Sequence, residues 1–243
     1  MILLPAIDIL GGKTVRLAKG SFEASTEYDE DPLVAARRWV AAGARALHVV
    51  DLDGARSGEP ANLEHVERIA AAVEVPVQVG GGLRAAASVT AAVDAGAARV
   101  ILGTAAFRDV DFLDDVVAQH GERVIVSVDA RDGKLAAAGW TEQTEIPVAD
   151  AIRRISDRGV HRFVYSSIER DGVLAGPDLD GASAVAGALH GTFVYSGGVS
   201  GLEDLEALAG LRQVNLVGVI VGKALYEGRL EVGAAQALLD RFA

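Results

Sequence analysis

Two aspartates stand inside otherwise apolar runs, Asp8 in ILLPAIDI and Asp129 in VIVSVDAR. A carboxylate in such a run costs burial energy unless it is paired or used. Two of them facing one pocket would suit the removal of a proton from one atom and its delivery to another. The structural alternative is that each Asp caps a following turn or helix, a common role after a strand. Their symmetric placement favours catalysis. Glycines form a second constellation: Gly80-Gly81-Gly82 and Gly103-Thr104 early in the chain, Gly197-Gly198 and Gly222-Lys223 late in it. Glycine lets backbone N–H groups approach a phosphate closely, and a helix starting behind it adds partial positive charge. One such pair would signal only a tight turn. The device appears twice, which predicts a small substrate with a phosphate at each end. Lys223 would add a point charge there, unless it is simply solvated.

Other polar residues fall where they could touch the same ligand. Arg16, in a loop-like stretch after Asp8, and Arg84, just after Gly82, could reach an anionic group, with surface salt bridges as the alternative. Trp140 lies in ARDGKLAAAGWTEQT, too polar and glycine-broken for a core helix, and suits a mobile loop residue stacking on a planar ligand. Ser166 and the Asp171-Gly172 pair could hydrogen-bond a sugar, or Asp171 could close a turn. His48 reads as a satisfied core residue, with Asp51 at the end of the same strand. His65, His120, His161 and His190 show no ligand spacing, so no metal site is expected.

Composition removes whole classes of chemistry. The 243 residues contain no Cys, which excludes thiolate catalysis, disulfides and Cys-ligated metal centres and fits a reducing cytoplasm. With 34 acidic against 23 basic residues and a formal charge of −11, the chain lacks long-range attraction to a polyphosphate backbone, so nucleic acid is not an expected partner. Half the residues are hydrophobic, enough for a large core. No apolar stretch approaches a membrane span and no signal peptide is evident, so the chain is expected to be soluble and cytoplasmic, without a membrane partner.

The elements that must position these residues are strand–helix units. Short β-branched runs alternate with Ala-rich amphipathic segments along the whole chain, the pattern of a parallel sheet with crossover helices. Strands are expected at Ile2–Ile9, Ala46–Val50, Val77–Val79, Ala98–Leu102, Arg123–Val128, His161–Ser166, Thr192–Ser196 and Val217–Val221. Eight such units at this length suit one α/β domain over residues 1–243, a (β/α)₈ barrel whose active site gathers at the C-terminal strand ends. An internal repeat divides it. Asp8 matches Asp129, Asp53-Gly54 matches Asp171-Gly172, Gly81-Gly82 matches Gly197-Gly198 and Gly103 matches Gly222, each offset by about 120 residues. The repeat predicts two similar (βα)₄ halves joined near residue 120.

The motifs LLPAIDILGGKTVRL, LHVVDLDGA, VGGGLR, VILGTAA, VDARDGKLAAAGW, RDGVLAGP, SGGVS and VGKALYEG together resemble the phosphoribosylformimino-aminoimidazole carboxamide ribotide (ProFAR) isomerase family of histidine biosynthesis. The match extends over nearly the whole chain. The resemblance implies a cofactor-free barrel, acting on a small-molecule bisphosphate by an Amadori rearrangement of an aminoaldose to an aminoketose. It implies Asp8 as the base that removes the C2′ proton and Asp129 as the acid that protonates the furanose ring oxygen. Ser166 stands where the family usually has Thr. Arg16, Trp140 and Asp171 match its substrate contacts, and the four glycine sites match its two phosphate cradles. The expected state is a monomer with no obligate protein partner.

Three alternatives remain at this point. A bifunctional isomerase would also accept phosphoribosylanthranilate, but the short Gly133–Gly139 segment lacks the additional Arg of such relatives. The related cyclase opens with a Cys-containing pattern absent here. A barrel that binds a phosphosugar without turnover is the reading from a different class.

Overall fold

The computed structural model describes residues 1–18, 21–137 and 142–242. Its frame is a ring of eight parallel strands: β1 (Ile2–Leu10), β2 (Leu47–Asp51), β3 (Val77–Gly80), β4 (Arg99–Leu102), β5 (Val124–Arg131), β6 (Arg162–Ser167), β7 (Thr192–Ser196) and β8 (Leu216–Val221). Each pairs with its neighbour in sequence, and β8 pairs with β1 through Ile2↔Gly218 to Pro5↔Val221, so the eight-stranded ring closes. A helix lies behind each strand, from Pro32–Ala41 after the first to Val232–Asp240 after the last. This is the expected (β/α)₈ barrel. Among the described residues no helix is long and apolar enough to cross a membrane.

Near-continuous Val, Ile and Leu runs make these strands because both faces are covered. The outward side chains, such as Leu3, Ile7, Leu47, Val79 and Val219, join the large core between sheet and helices. The inward ones form a smaller cluster, Leu4, Ala6, Ala46, Ile101, Ile125, Val164 and Ile220, which plugs the barrel interior. Several helices start where a side-chain carboxylate satisfies a free N–H. Asp31 accepts from Leu33 N ahead of Pro32, and Asp109 and Asp178 cap the helices Val110–His120 and Leu179–Ala188.

Strand ends nearly coincide with the sequence expectation, except that β5 runs on to Arg131. Two hairpins are additional. Lys13–Ala18 and Ser21–Asp29 extend β1 antiparallel, so Arg16 lies on a strand rather than in a loop; Lys134–Ala137 and Glu142–Pro147 extend β5 in the same way. Their polar, short-period pattern resembles a surface loop, because one face is open above the barrel.

Asp51 ties the upper rim of the first half. Its carboxylate is buried and accepts from Gly54 N (2.8 Å), Ala61 N (2.6 Å), Asn62 N (2.9 Å) and Asn62 Nδ2 (2.7 Å). Asp51→Ala leaves these donors without their acceptor and is expected to lower stability by about 3 kcal/mol or more. Urea unfolding measures this, and a loss near zero would show that the loop rearranges to satisfy them.

Candidate active site

The alternation of side chains along each strand carries polar groups up from the apolar plug. Two residues beyond Ala6 the inward position is Asp8, and the same step leads from Ile125 through Ser127 to Asp129, from Val164 to Ser166 and from Ile220 to Gly222. Asp129 and Ser166 are register partners across β5 and β6. The expected catalytic residues therefore share the C-terminal mouth of the barrel.

Asp8 is 8% exposed and accepts from Arg16 Nη1 at 2.7 Å. Burial pushes its carboxyl up to about 6; Arg16 pulls it down and Asp171 pushes it up further. Arg16 stays charged: burial opposes its charge, but Asp8 and Asp171 outweigh that cost. Asp171 is also raised, first by burial, then against Arg16 and with Asp129. Asp129 accepts from Ser127 Oγ at 2.7 Å. One guanidinium thus stands between two carboxyls that burial drives toward protonation.

His48 enters the interior beside this group. Its Nδ1 lies 2.8 Å from Gln78 Nε2, and burial, assisted by the Arg16 charge, pushes its pKa down to about 3, so it is neutral. It is the satisfied interior histidine that its sequence position suggested, although it borders the site.

The two glycine turns are the same backbone built twice. Gly81 and Gly197 have φ of +107° and +111°, and Gly82 and Gly198 have +73° and +80°. A Cβ on Gly81 would lie 2.1 Å from Asp51 O, and one on Gly198 2.2 Å from Gly176 O, so no side chain fits either turn. The next strand ends differ. Above Gly103, which is followed by Thr104, no described residue lies within 4 Å of a Cβ position, whereas above Gly222 the Arg16 guanidinium fills that space, with Cζ 2.3 Å away. The helices that follow, Ala105–Arg108 and Lys223–Tyr226, have four residues each. They are too short to carry much of a macrodipole, so an anion here would depend on free backbone N–H groups.

On the second-half side, Arg16, Asp171, Gly172, Gly197, Gly198 and Gly222 line an open cleft. Lys223 also lines it, with its Nζ donating to Gly172 O at 3.1 Å and lying 3.7 Å from Glu227 Oε1. Arg84 turns elsewhere: its Nη2 donates to Ala55 O at 2.7 Å, clamping the loop after β2. Trp140 lies outside the described residues. Asp53, matched to Asp171 in sequence, accepts from Gly11 N (2.7 Å) and Asn62 Nδ2 (2.8 Å) and serves the rim. Among the described residues no group of three or more His, Cys, Asp or Glu is placed to hold a metal ion.

Sequence reasoning missed three contributors. Ser127 is two residues before Asp129 on the same face, a signal that strand alternation offers. Ser196 ends β7 in the cleft, by the same logic. Tyr226 is different, because it acts through packing. Its ring lies 4.7 Å from Tyr28 and 5.2 Å from Trp39, and its hydroxyl donates to Ala6 O at 3.1 Å. It anchors the hairpin that carries Arg16 to the segment behind Gly222.

A model of a family described as histidine biosynthesis protein matches residues 2–231. Among curated relatives, a protein of Azorhizobium caulinodans named 1-(5-phosphoribosyl)-5-((5-phosphoribosylamino)methylideneamino) imidazole-4-carboxamide isomerase is 46% identical over 239 residues, covering 98% of each chain. Proteins of the same name from Picosynechococcus sp. and Rhodospirillum rubrum are 43% and 44% identical, covering 97% and 98% of this chain and 92% and 99% of theirs.

The raised pKa of Asp8 has a consequence for stability. Its folded value of about 6 exceeds the ordinary 3.8, so its favourable contribution is present below 3.8 and is lost as pH rises through 6. Asp8→Asn keeps the neutral form at every pH. It is expected to be more stable than the parent by about 1–3 kcal/mol at pH 8, with the gap closing below about pH 4. Unfolding curves across that range check this, and a gap of constant size would remove burial of the charge as its cause.

Proposed function

The chain belongs to the histidine biosynthesis protein family, and from that premise we propose that its barrel catalyses an Amadori rearrangement. The substrate is the aminoaldose N′-(5′-phosphoribosyl)formimino-5-aminoimidazole-4-carboxamide ribonucleotide, and the product is its aminoketose. The observation that carries this reading is the combination of a buried carboxyl, Asp8, with a glycine cradle on either side of the mouth. The relatives' names contain two phosphoribosyl groups, which suits two cradles.

Gly81, Gly82, Gly103 and Thr104 receive one phosphate, and Gly197, Gly198 and Gly222 the other. Lys223 supports the second cradle, where Gly172 also borders the ligand. Arg84 is at most a supporting residue of the first cradle, because its guanidinium is engaged with Ala55 O. Trp140 stacks on the ligand. The two halves, meeting near residue 120, supply one cradle each within a single domain. The chain works as a monomer in the cytoplasm, with no obligate partner.

The chemistry moves only protons. Protonation of the furanose ring oxygen breaks its bond to C1′ and opens the sugar as an imine. Asp8 then takes the C2′ proton, and the electron pair shifts to give the enolamine. Protonation at C1′, with loss of the 2′-hydroxyl proton, leaves a ketone at C2′. One hydrogen leaves C2′ and one arrives at C1′, so the rearrangement balances within the substrate. A base with a pKa near 6 is ionised at neutral pH and still strong enough to accept a proton.

Asp129 is the proposed acid, oriented by Ser127 and with Ser166 beside it. A second reading is favoured by one observation: burial raises the Asp171 carboxyl, as an acid that must hold its proton requires. On that reading Asp129 positions the sugar and Asp171 opens it.

Purified chain is expected to convert the aminoaldose without ammonia or a partner. Asp8→Asn should lower kcat by roughly 10²–10⁴-fold with substrate still bound, and binding without turnover in the parent would leave only a phosphosugar-binding role. Parent kcat/KM should fall as pH drops through about 6, where Asp8 takes up its proton. Comparing Asp129→Asn with Asp171→Asn identifies the acid, as the variant with the larger loss of kcat. Rescue of a strain lacking the histidine-pathway isomerase, but not of one lacking phosphoribosylanthranilate isomerase, is the expected genetic outcome.

A further inference from the structure

Arg16 makes one strong contact and lacks another. Its Nη1 donates to Asp8 at 2.7 Å, while its Nε is buried with no hydrogen-bond partner among the described residues. The flat face of the guanidinium covers Gly222: a Cβ on that glycine would sit 2.3 Å from Cζ, 2.5 Å from Nη2 and 2.7 Å from Nε. Nε and Nη2 form the edge of a guanidinium that grips a phosphate with two parallel hydrogen bonds. Burying an unpaired N–H is costly, and an anion entering the cleft that Arg16 lines with Gly197, Gly198 and Gly222 would satisfy it once the guanidinium turns off Gly222.

We propose that Arg16 is an exchange contact: an anion seated in the second-half cradle draws its guanidinium away from Asp8, so that phosphate binding there releases the base for proton abstraction. This rests on the isomerase reading for its purpose, but not for its physics. In the free chain the ion pair holds Asp8 in its charged form and engages one of its oxygens, which weakens it as a base. The hairpin bearing Arg16 is fastened to the segment after Gly222 through Tyr28 and Tyr226, so hairpin and cradle are mechanically connected. The groups that act electrostatically on Asp8 and Arg16 are Asp171, Tyr226 and Tyr28, and none of these supplies a second cation to replace Arg16. At the first-half cradle no described residue fills the space above Gly103. The two phosphates of the substrate therefore have different duties: one anchors, the other arms the base.

Coupling of this kind is reciprocal, so removing the Asp8 charge must strengthen anion binding at the second cradle. Direct repulsion alone makes a different prediction. Asp171 lines the cleft and Asp8 does not, so a pure charge effect would make Asp171→Asn the more favourable variant. The exchange makes it Asp8→Asn, because among the described residues Asp8 is the hydrogen-bond partner of Arg16.

The experiment titrates the intact chain with inorganic phosphate and follows the backbone amides of Gly198 and Gly222 by ¹H–¹⁵N spectroscopy, with Gly82 and Gly103 as the internal reference. Asp8→Asn is expected to tighten phosphate at the second cradle by about 5–150-fold, the usual range of such coupling, with Asp171→Asn well below it and the Gly82 and Gly103 response unchanged. An equal or larger gain in Asp171→Asn, no gain in Asp8→Asn, or no phosphate response at Gly222 would overturn the exchange. The unchanged first cradle reports that the variant is folded. Because no turnover is measured, these outcomes stand apart from the isomerase assay, whose failure would leave the exchange intact.

Discussion

A single buried guanidinium holds the mouth of this barrel together electrically. Arg16 lies within 2.7 Å of Asp8 and within the field of Asp171, at a level where water has been replaced by strand ends and an apolar plug below. In such surroundings three carboxyls near one another would not all remain charged without a cation among them. The strength of the arrangement is also its tension, because the guanidinium carries one charge and more than one claimant. The further architecture, two hairpins, glycine turns and an aromatic anchor, keeps that charge where both Asp8 and an incoming anion can compete for it.

The barrel makes this possible by keeping stability and chemistry at different depths. Leu4, Ile101, Ile125, Val164 and Ile220 close the lower interior with hydrocarbon alone. The next inward layer is polar, with His48 neutral against Gln78 and Ser127 aligned on Asp129. Rim loops are fixed by hydrogen-bonded carboxylates, above all Asp51 with its four donors. Two kinds of aspartate thus end these strands. Asp51 is surrounded by N–H groups and stabilises the loop; Asp8 is short of donors and is raised toward neutrality, which costs stability and suits the base proposed for it.

The duplicated halves explain both the symmetry and its breaking. Gly81 and Gly197 adopt the same left-handed turn within a few degrees, because the next backbone passes too close for any Cβ. Asp53 and Asp171 were matched by the repeat yet have separate fates. Asp53 is taken up by Gly11 N and Asn62, while Asp171 faces Arg16. Among the described residues it is the first hairpin that places an arginine on Asp8, and the same arginine lines the second-half cleft.

Much of this was legible in the chain itself. Alternating apolar runs determined the eight strand–helix units, since a parallel strand buried on both faces must be apolar throughout and its crossover helix amphipathic. The odd charge in such a run, Asp8 or Asp129, was conspicuous for the same reason, and the doubled glycines marked turns where backbone must be bare. What only the tertiary structure decided is who meets whom. Arg16 looked like a loop residue and Arg84 like its equal near a cradle, yet the hairpin carries Arg16 onto Asp8 and Gly222, while Arg84 closes a loop at Ala55. Strand periodicity specifies the face on which a side chain lies, a local property of the backbone. The partner across the barrel depends on ring closure and loop path, and these bring together residues that no local pattern relates.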